Sequence, residues 1–276
     1  MTQSIEKQII ATYFSLRVTL AVIAFVFPFR LWFGARVSQG IPLQDSMSAY
    51  YWTAPGQVCP CREDATGHCL KKKEVETTVV ENPTTAVGLK AGTMRNCFVG
   101  LMFAIGFILY IYKGYTDREN IALNFAGVMA VCVALFPMPW DCARHPVTVH
   151  GTCAILFFLA IAYVSAFCAD ATLILLVGEE KLQQRYRHIY RSLAIFMLLS
   201  PLLAYSFSWI VGKNESFVYW AEVFGIYAFA MYWVVKMKEI SMIHSRQQVV
   251  KGPRRIVPSG EEAANDAANE PPLLVL

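Results

Sequence analysis

Residues 150–177 read HGTCAILFFLAIAYVSAFCADATLILLV, a stretch without a lysine, an arginine or a glutamate. Its one carboxylate is Asp170 and its one imidazole is His150. An apolar run of this length exceeds the about 20 residues a helix needs to cross a hydrocarbon layer roughly 30 Å thick. Inside lipid a helix satisfies its own backbone hydrogen bonds, so the stretch predicts a transmembrane helix.

Working outward, five further stretches pass the same test: residues 9–33, 96–112, 121–137, 192–211 and 217–235. Trp32, Trp140, Trp209, Trp220 and Trp233 fall near their ends, where amphipathic rings favour the membrane interface. The whole chain is 56% hydrophobic and 16% charged, an apolar excess that calls for a lipid solvent. The first run continues into Phe29, Arg30, Leu31 and Trp32 instead of small residues, which predicts a retained helix and not a cleaved signal. Arg17, within that run, is expected to send its long stem to the headgroups. The net charge of +4 is too small to point to nucleic acid.

Short basic segments stay in the cytoplasm. Lys113 and Arg118, then Lys181 to Arg191, then Lys236 to Arg255 mark that side. Six spans then place both termini in the cytoplasm, as expected of a plasma membrane protein. The expectation is an all-α fold, a polytopic membrane bundle of six transmembrane helices with a disulfide-stapled extracytoplasmic loop. Residues 1–34 are the first helix, 35–94 the loop, 95–251 the five-helix remainder and 252–276 a disordered cytoplasmic tail rich in Ala, Glu, Asn and Pro. In the loop, residues 75–80 are rich in Thr and Val and predict a strand.

Cysteine placement agrees with this orientation, because disulfides persist outside the cytosol. Cys59, Cys61, Cys69 and Cys142 lie in outer segments, and at least one disulfide is expected among them. The alternative is a zinc site at Cys59, Cys61, His68 and Cys69, although one intervening residue is tighter than the usual spacing. No other cofactor is expected.

The same orientation gathers Ser46, Ser48, Tyr50, Tyr51, Arg95, Asp141, His145, His150 and Glu222 at the outer end. Ionisable groups within a membrane are costly and face a protein interior or water. Ser48, Tyr51, Arg95, Asp141, His150 and Glu222 are therefore the candidate ligand-binding residues, with His150, Arg95 and Glu222 lining one polar cavity capped by residues 46–52. The expected function is non-enzymatic binding of a membrane lipid or small-molecule ligand. The alternative is a membrane-embedded lipid hydrolase with a Ser/Asp/His or metal-assisted site, since carboxylate, imidazole and hydroxyl are the groups such chemistry uses. No HExxH or GxSxG spacing accompanies them.

The order of motifs carries a resemblance. Ser48-Ala49-Tyr50-Tyr51 follows the first helix, Arg95-Asn96-Cys97-Phe98-Val99-Gly100 opens the second, and Tyr112-Lys113-Gly114-Tyr115 closes it. Asn124-Phe125-Ala126-Gly127 and Val133-Ala134-Leu135-Phe136-Pro137 lie on the third, and His150 with Phe157-Phe158 and Ala162-Tyr163 on the fourth. Across residues 46–191 the chain resembles a group of bacterial six-helix membrane proteins and is distantly similar to the DUF998 and Frag1/DRAM type. The resemblance implies a six-helix bundle with its serine, arginine and histidine on one side, and no activity. The Ser-Asp pair of the Frag1/DRAM type is Ser48-Ala49 here, a departure that weakens any transfer of function. Ceramidase-like membrane hydrolases also use Ser, Asp and His, but their paired late-helix histidines have no counterpart in residues 192–235.

Overall fold

The computed structural model describes residues 2–41, 43–52, 62–63, 69–70, 93–138, 148–176, 178–211 and 216–250. Six helices account for most of them: α1 Thr2–Gln39, α2 Thr93–Ile111, α3 Asp117–Leu135, α4 Val149–Tyr163, α5 Glu180–Val211 and α6 Phe217–Val250. All six contain spans long and apolar enough to cross a membrane, α4 doing so together with its continuation to Leu175. Ile210, Ile174, Phe167 and Trp209 are more than two-thirds exposed, a surface suited to lipid and hostile to water. The described residues up to Glu239 form one compact unit, and those from Ile240 on a second.

Local chemistry sets the helix ends. At the end of α1, Gly40 takes φ of +66°, with its N–H bonded to Arg36 O and that of Ile41 to Ala35 O. The Gly40 bond is that of an αL stop, and it needs a residue without a Cβ penalty in the left-handed region. Thr116 caps α3 by accepting from Glu119 N at 3.2 Å, while the Glu119 carboxylate reaches back to Tyr115 N at 2.8 Å. Thr-x-x-Glu is the sequence signature of a capping box, here with the carboxylate on the N–H one residue before the cap.

Adjacent helices pack in chain order, α1 on α2, α2 on α3, α3 on α4 and α4 on α5. The α2–α3 approach depends on glycine at both sides of the contact. A Cβ at Gly106 would stand 2.8 Å from Gly127 O, and one at Gly127 would stand 2.7 Å from Gly106 O. Helix α6 follows the opposite strategy. Half of its apolar window is buried, against 22% for α1, which makes it the most enclosed span. Rings fill the space around it: Phe229 against Phe157, Tyr232 against Tyr190, and Trp233 against Tyr112.

Helix α4 does not continue as an α-helix to its predicted end. A π turn at Val164–Cys168 and a 3-10 segment at Ala169–Leu175 complete the span. Ser165 in the π turn donates to Tyr190 O on α5 at 2.9 Å.

Several expectations need correction. Trp233 is fully buried and is not an interface anchor. Arg17 does not reach to headgroups: it is 8% exposed, and its Nε and Nη2 donate to the Tyr112 hydroxyl at 2.9 and 2.7 Å. An internal acceptor makes that inward geometry cheaper than extension along lipid. In the loop, Arg62–Glu63 pairs antiparallel with Cys69–Leu70. The strand expected at 75–80, the tail 252–276, and Cys59, Cys61, His68 and Cys142 lie outside the described residues. Cys97, Cys132, Cys153 and Cys168 are free thiols.

Candidate functional site

After α1 ends, the chain forms a short 3-10 turn, Ser48–Tyr51, at the end of the bundle where α4 and α6 begin. Successive hydrogen bonds hold it, from Ala49 N to Ser46 O, Tyr50 N to Met47 O and Trp52 N to Ala49 O. The Ser46 hydroxyl accepts a further bond from Ala49 N at 3.1 Å. The turn is also tied to the helices. Tyr219 N, an otherwise unsatisfied donor in the first turn of α6, donates to Asp45 O at 2.8 Å. Trp52 Nε1 donates to Met138 O at 2.7 Å. Tyr50 is fully enclosed, and burial pushes its phenol up to about 12 despite a backbone bond involving Gln44, so it serves as a neutral anchor.

Thus fixed, the turn delivers Ser48 to two ionisable side chains. Ser48 Oγ lies 2.6 Å from His150 Nε2 and 3.5 Å from Glu222 Oε1, and Glu222 Oε2 accepts from Met47 N at 2.6 Å. His150 stands in the first turn of α4, behind the cap in which Thr148 accepts from Gly151 N. Its Nδ1 is 2.8 Å from Phe136 O, a carbonyl just past the last turn of α3. A carbonyl only accepts, so Nδ1 carries the proton and Nε2 presents its lone pair to the serine. Ser48 therefore donates to His150, the shorter of its two contacts. Ser48 and His150 are buried, at 4% and 5% exposure.

Two cavities meet at Ser48. One of about 370 Å³ runs between α4, α5 and α6, with Ser46, Ser48, His150 and Glu222 at its polar end and Ile155, Phe158, Leu198 and Pro201 among its walls. A smaller one of about 40 Å³ lies on the other side, against Phe27, Phe98 and Phe157. Pro201 cannot supply an N–H to Met197 O, and Ser200 Oγ donates to that carbonyl instead at 2.7 Å. The helix thereby passes the cavity without a bare acceptor.

Of the six expected site residues, Ser48, His150 and Glu222 come together. Arg95 is exposed, with its guanidinium 5.9 Å from the centre of the Tyr51 ring, and neither residue belongs to the wall of the larger cavity. Asp141 lies outside the described residues. Among the described residues, no three His, Cys, Asp or Glu side chains are grouped to hold a metal.

A second polar cluster, toward the other end of α6, escaped the sequence reading. Lys236 Nζ donates to Thr172 Oγ1 at 2.6 Å and Ala169 O at 3.2 Å, and pairs with Glu239 Oε2 at 3.3 Å. The Glu239 carboxylate also accepts from the hydroxyls of Thr172 and Tyr190. The three ammonium protons thus have three acceptors, and the cluster locks the irregular end of α4 to α5 and α6. The available signal was a Lys-x-x-Glu pair on one face of α6, just after its apolar stretch. The tyrosines interleaved with the basic residues of α5 likewise turn inward, Tyr186 and Tyr190 being buried. Among those basic residues, Arg187 pairs with Asp170 at 2.9 Å.

No protein family, curated protein or solved structure matches the chain.

Proposed function

We propose that this protein is a plasma membrane protein, both termini cytoplasmic, that binds an amphiphilic lipid from the outer leaflet in the cavity between α4, α5 and α6. The observation that carries this reading is a mainly apolar cavity ending in a buried serine and histidine and a half-buried glutamate. Its volume of about 370 Å³ falls within the about 300–1,000 Å³ of small-molecule pockets, which combine apolar walls with a few convergent polar groups. An acyl chain suits the walls of Ile155, Phe158 and Leu198, and a carbonyl or hydroxyl near the headgroup suits the polar end.

A photoactivatable ester lipid, incorporated in vesicles with the purified protein, tests this. Crosslinks should map to the wall residues of α4, α5 and α6, and Ala154→Trp, which fills the cavity, should remove them. Crosslinking absent from the wild type, or unchanged in folded Ala154→Trp, rejects the reading.

The charge pattern and the cysteine positions further support a loop on the outer side stapled by at least one disulfide among Cys59, Cys61, Cys69 and Cys142. Peptide mapping without reductant should recover a bridged pair. Four free thiols would reject the staple, and stoichiometric zinc would favour the metal alternative.

A further inference from the structure

We propose that Ser48 is an acyl-accepting nucleophile and His150 its general base, so that the lipid held in the cavity is an ester and the protein transfers its acyl group to water. This inference rests on the binding reading above. Four geometric features carry it.

First, the Ser48–His150 contact of 2.6 Å lies within the range a general base needs to take a hydroxyl proton. Second, the imidazole is set in the one neutral tautomer that serves. The Phe136 carbonyl holds the proton on Nδ1, as the orienting third group of a nucleophile–base pair does. Third, Ser48 Oγ is not sealed within packing, because Ser48 lines both cavities and the larger one has room for a substrate beside it. Fourth, a hydroxyl donor stands in the same wall. The Ser46 proton points to the Met138 thioether at 3.7 Å, a weak acceptor that it can leave at small cost for an oxyanion.

The reaction balances with water as co-reactant. Ser48 Oγ bonds to the ester carbonyl carbon while its proton passes to His150 Nε2, and the carbonyl oxygen takes the negative charge. Collapse breaks the bond to the alcohol oxygen, which leaves with the proton from Nε2. Water then gives a proton to Nε2 as its oxygen attacks the acyl-Ser48 carbon. Collapse releases a carboxylic acid, and Ser48 Oγ recovers its proton. Glu222 is assigned a positioning role: its carboxylate holds Met47 N, and through it the turn that carries Ser48.

An alkyl fluorophosphonate, whose phosphorus reacts with an activated serine, is the direct probe. Added to the purified full-length protein in detergent, it should form an adduct on Ser48, found by peptide mass mapping. Ser48→Ala should lose the adduct and the release of fatty acid from a p-nitrophenyl ester. His150→Ala should slow labelling by about 100-fold or more, the lower end of what a general base contributes. Glu222→Ala, which leaves Met47 N without its acceptor, should slow labelling more than Glu222→Gln, which keeps one, and equal rates in the two variants overturn the positioning role. An unlabelled Ser48 in wild-type protein that still crosslinks the ester lipid overturns this inference and leaves the binding reading standing. Loss of both crosslinking and labelling overturns both. Labelling that persists at the wild-type rate in folded His150→Ala shows that the histidine is a structural partner and overturns its role as base.

Discussion

At the residue scale, both ends of the bundle answer buried or half-buried charges with specific polar groups. Arg17 finds the Tyr112 hydroxyl, and Glu222 finds Met47 N. Lys236 is 1% exposed and Glu239 is fully buried, so their pairing replaces hydration neither can obtain. Removing one partner of a buried pair strands the other charge, at a cost of about 3–5 kcal/mol, whereas replacing both by apolar groups is often close to neutral. Lys236→Met should therefore lower the thermal midpoint of the detergent-purified protein sharply, and Lys236→Met with Glu239→Leu should recover part of the loss. A single variant as stable as the wild type would show that Glu239 does not carry a buried charge needing the ammonium. The sequence showed Lys236 only as one more cation before a basic tail, because its burial depends on which way that face of α6 points.

At the scale of elements, two kinds of contact coexist. Helices α2 and α3 meet backbone to backbone at Gly106 and Gly127, where van der Waals contact replaces the hydrophobic drive that lipid cannot supply. A side chain at Gly127 would have to displace the Gly106 carbonyl 2.7 Å from its Cβ, and backbone in a packed interface gives little. Gly127→Val should cost about 1–3 kcal/mol, the usual penalty of overpacking, read as a lower unfolding midpoint in the same detergent. Unchanged stability would mean that the α2–α3 crossing relaxes freely. Around α6 the contacts are ring to ring, and α4 gives up regular α-helix at Val164–Leu175 where it meets Lys236. The length of the fourth span was readable from residues 150–177, but its change of winding was not. That change places Ala169 O where an ammonium on another helix can use it, a tertiary constraint with no local signature.

For the molecule in its membrane, the test is orientation. If the end bearing Ser48 faces outward, Val37 beyond it and Tyr115 between α2 and α3 lie on opposite sides, and both are well exposed, at 67% and 59%. In a cysteine-free background, Val37→Cys should react with an impermeant maleimide in intact cells, and Tyr115→Cys only after permeabilisation. The reverse pattern would invert the topology and place the cavity on the cytoplasmic side. Ser48 itself is a poor reporter, since at 4% exposure a cysteine there would be shielded by the turn.

The sequence by itself determined the class and the number of spans. Runs such as 150–177 are too long and apolar for water, and a lipid solvent admits helices because they close their own hydrogen bonds. It also determined depth, since rise along a helix is regular: His150 in the first turn of α4 and Glu222 near the start of α6 had to stand at the same level. Azimuth was another matter. Spacing on one helix says nothing about which neighbour its faces meet, and a short turn between helices has no periodicity to read. Only the tertiary structure decided that Ser48 lies between His150 and Glu222, that Arg95 stays outside with Tyr51, and that the Phe136 carbonyl selects the histidine tautomer. Each of those contacts joins residues on different elements, so its free energy belongs to the packing and not to any one stretch of chain.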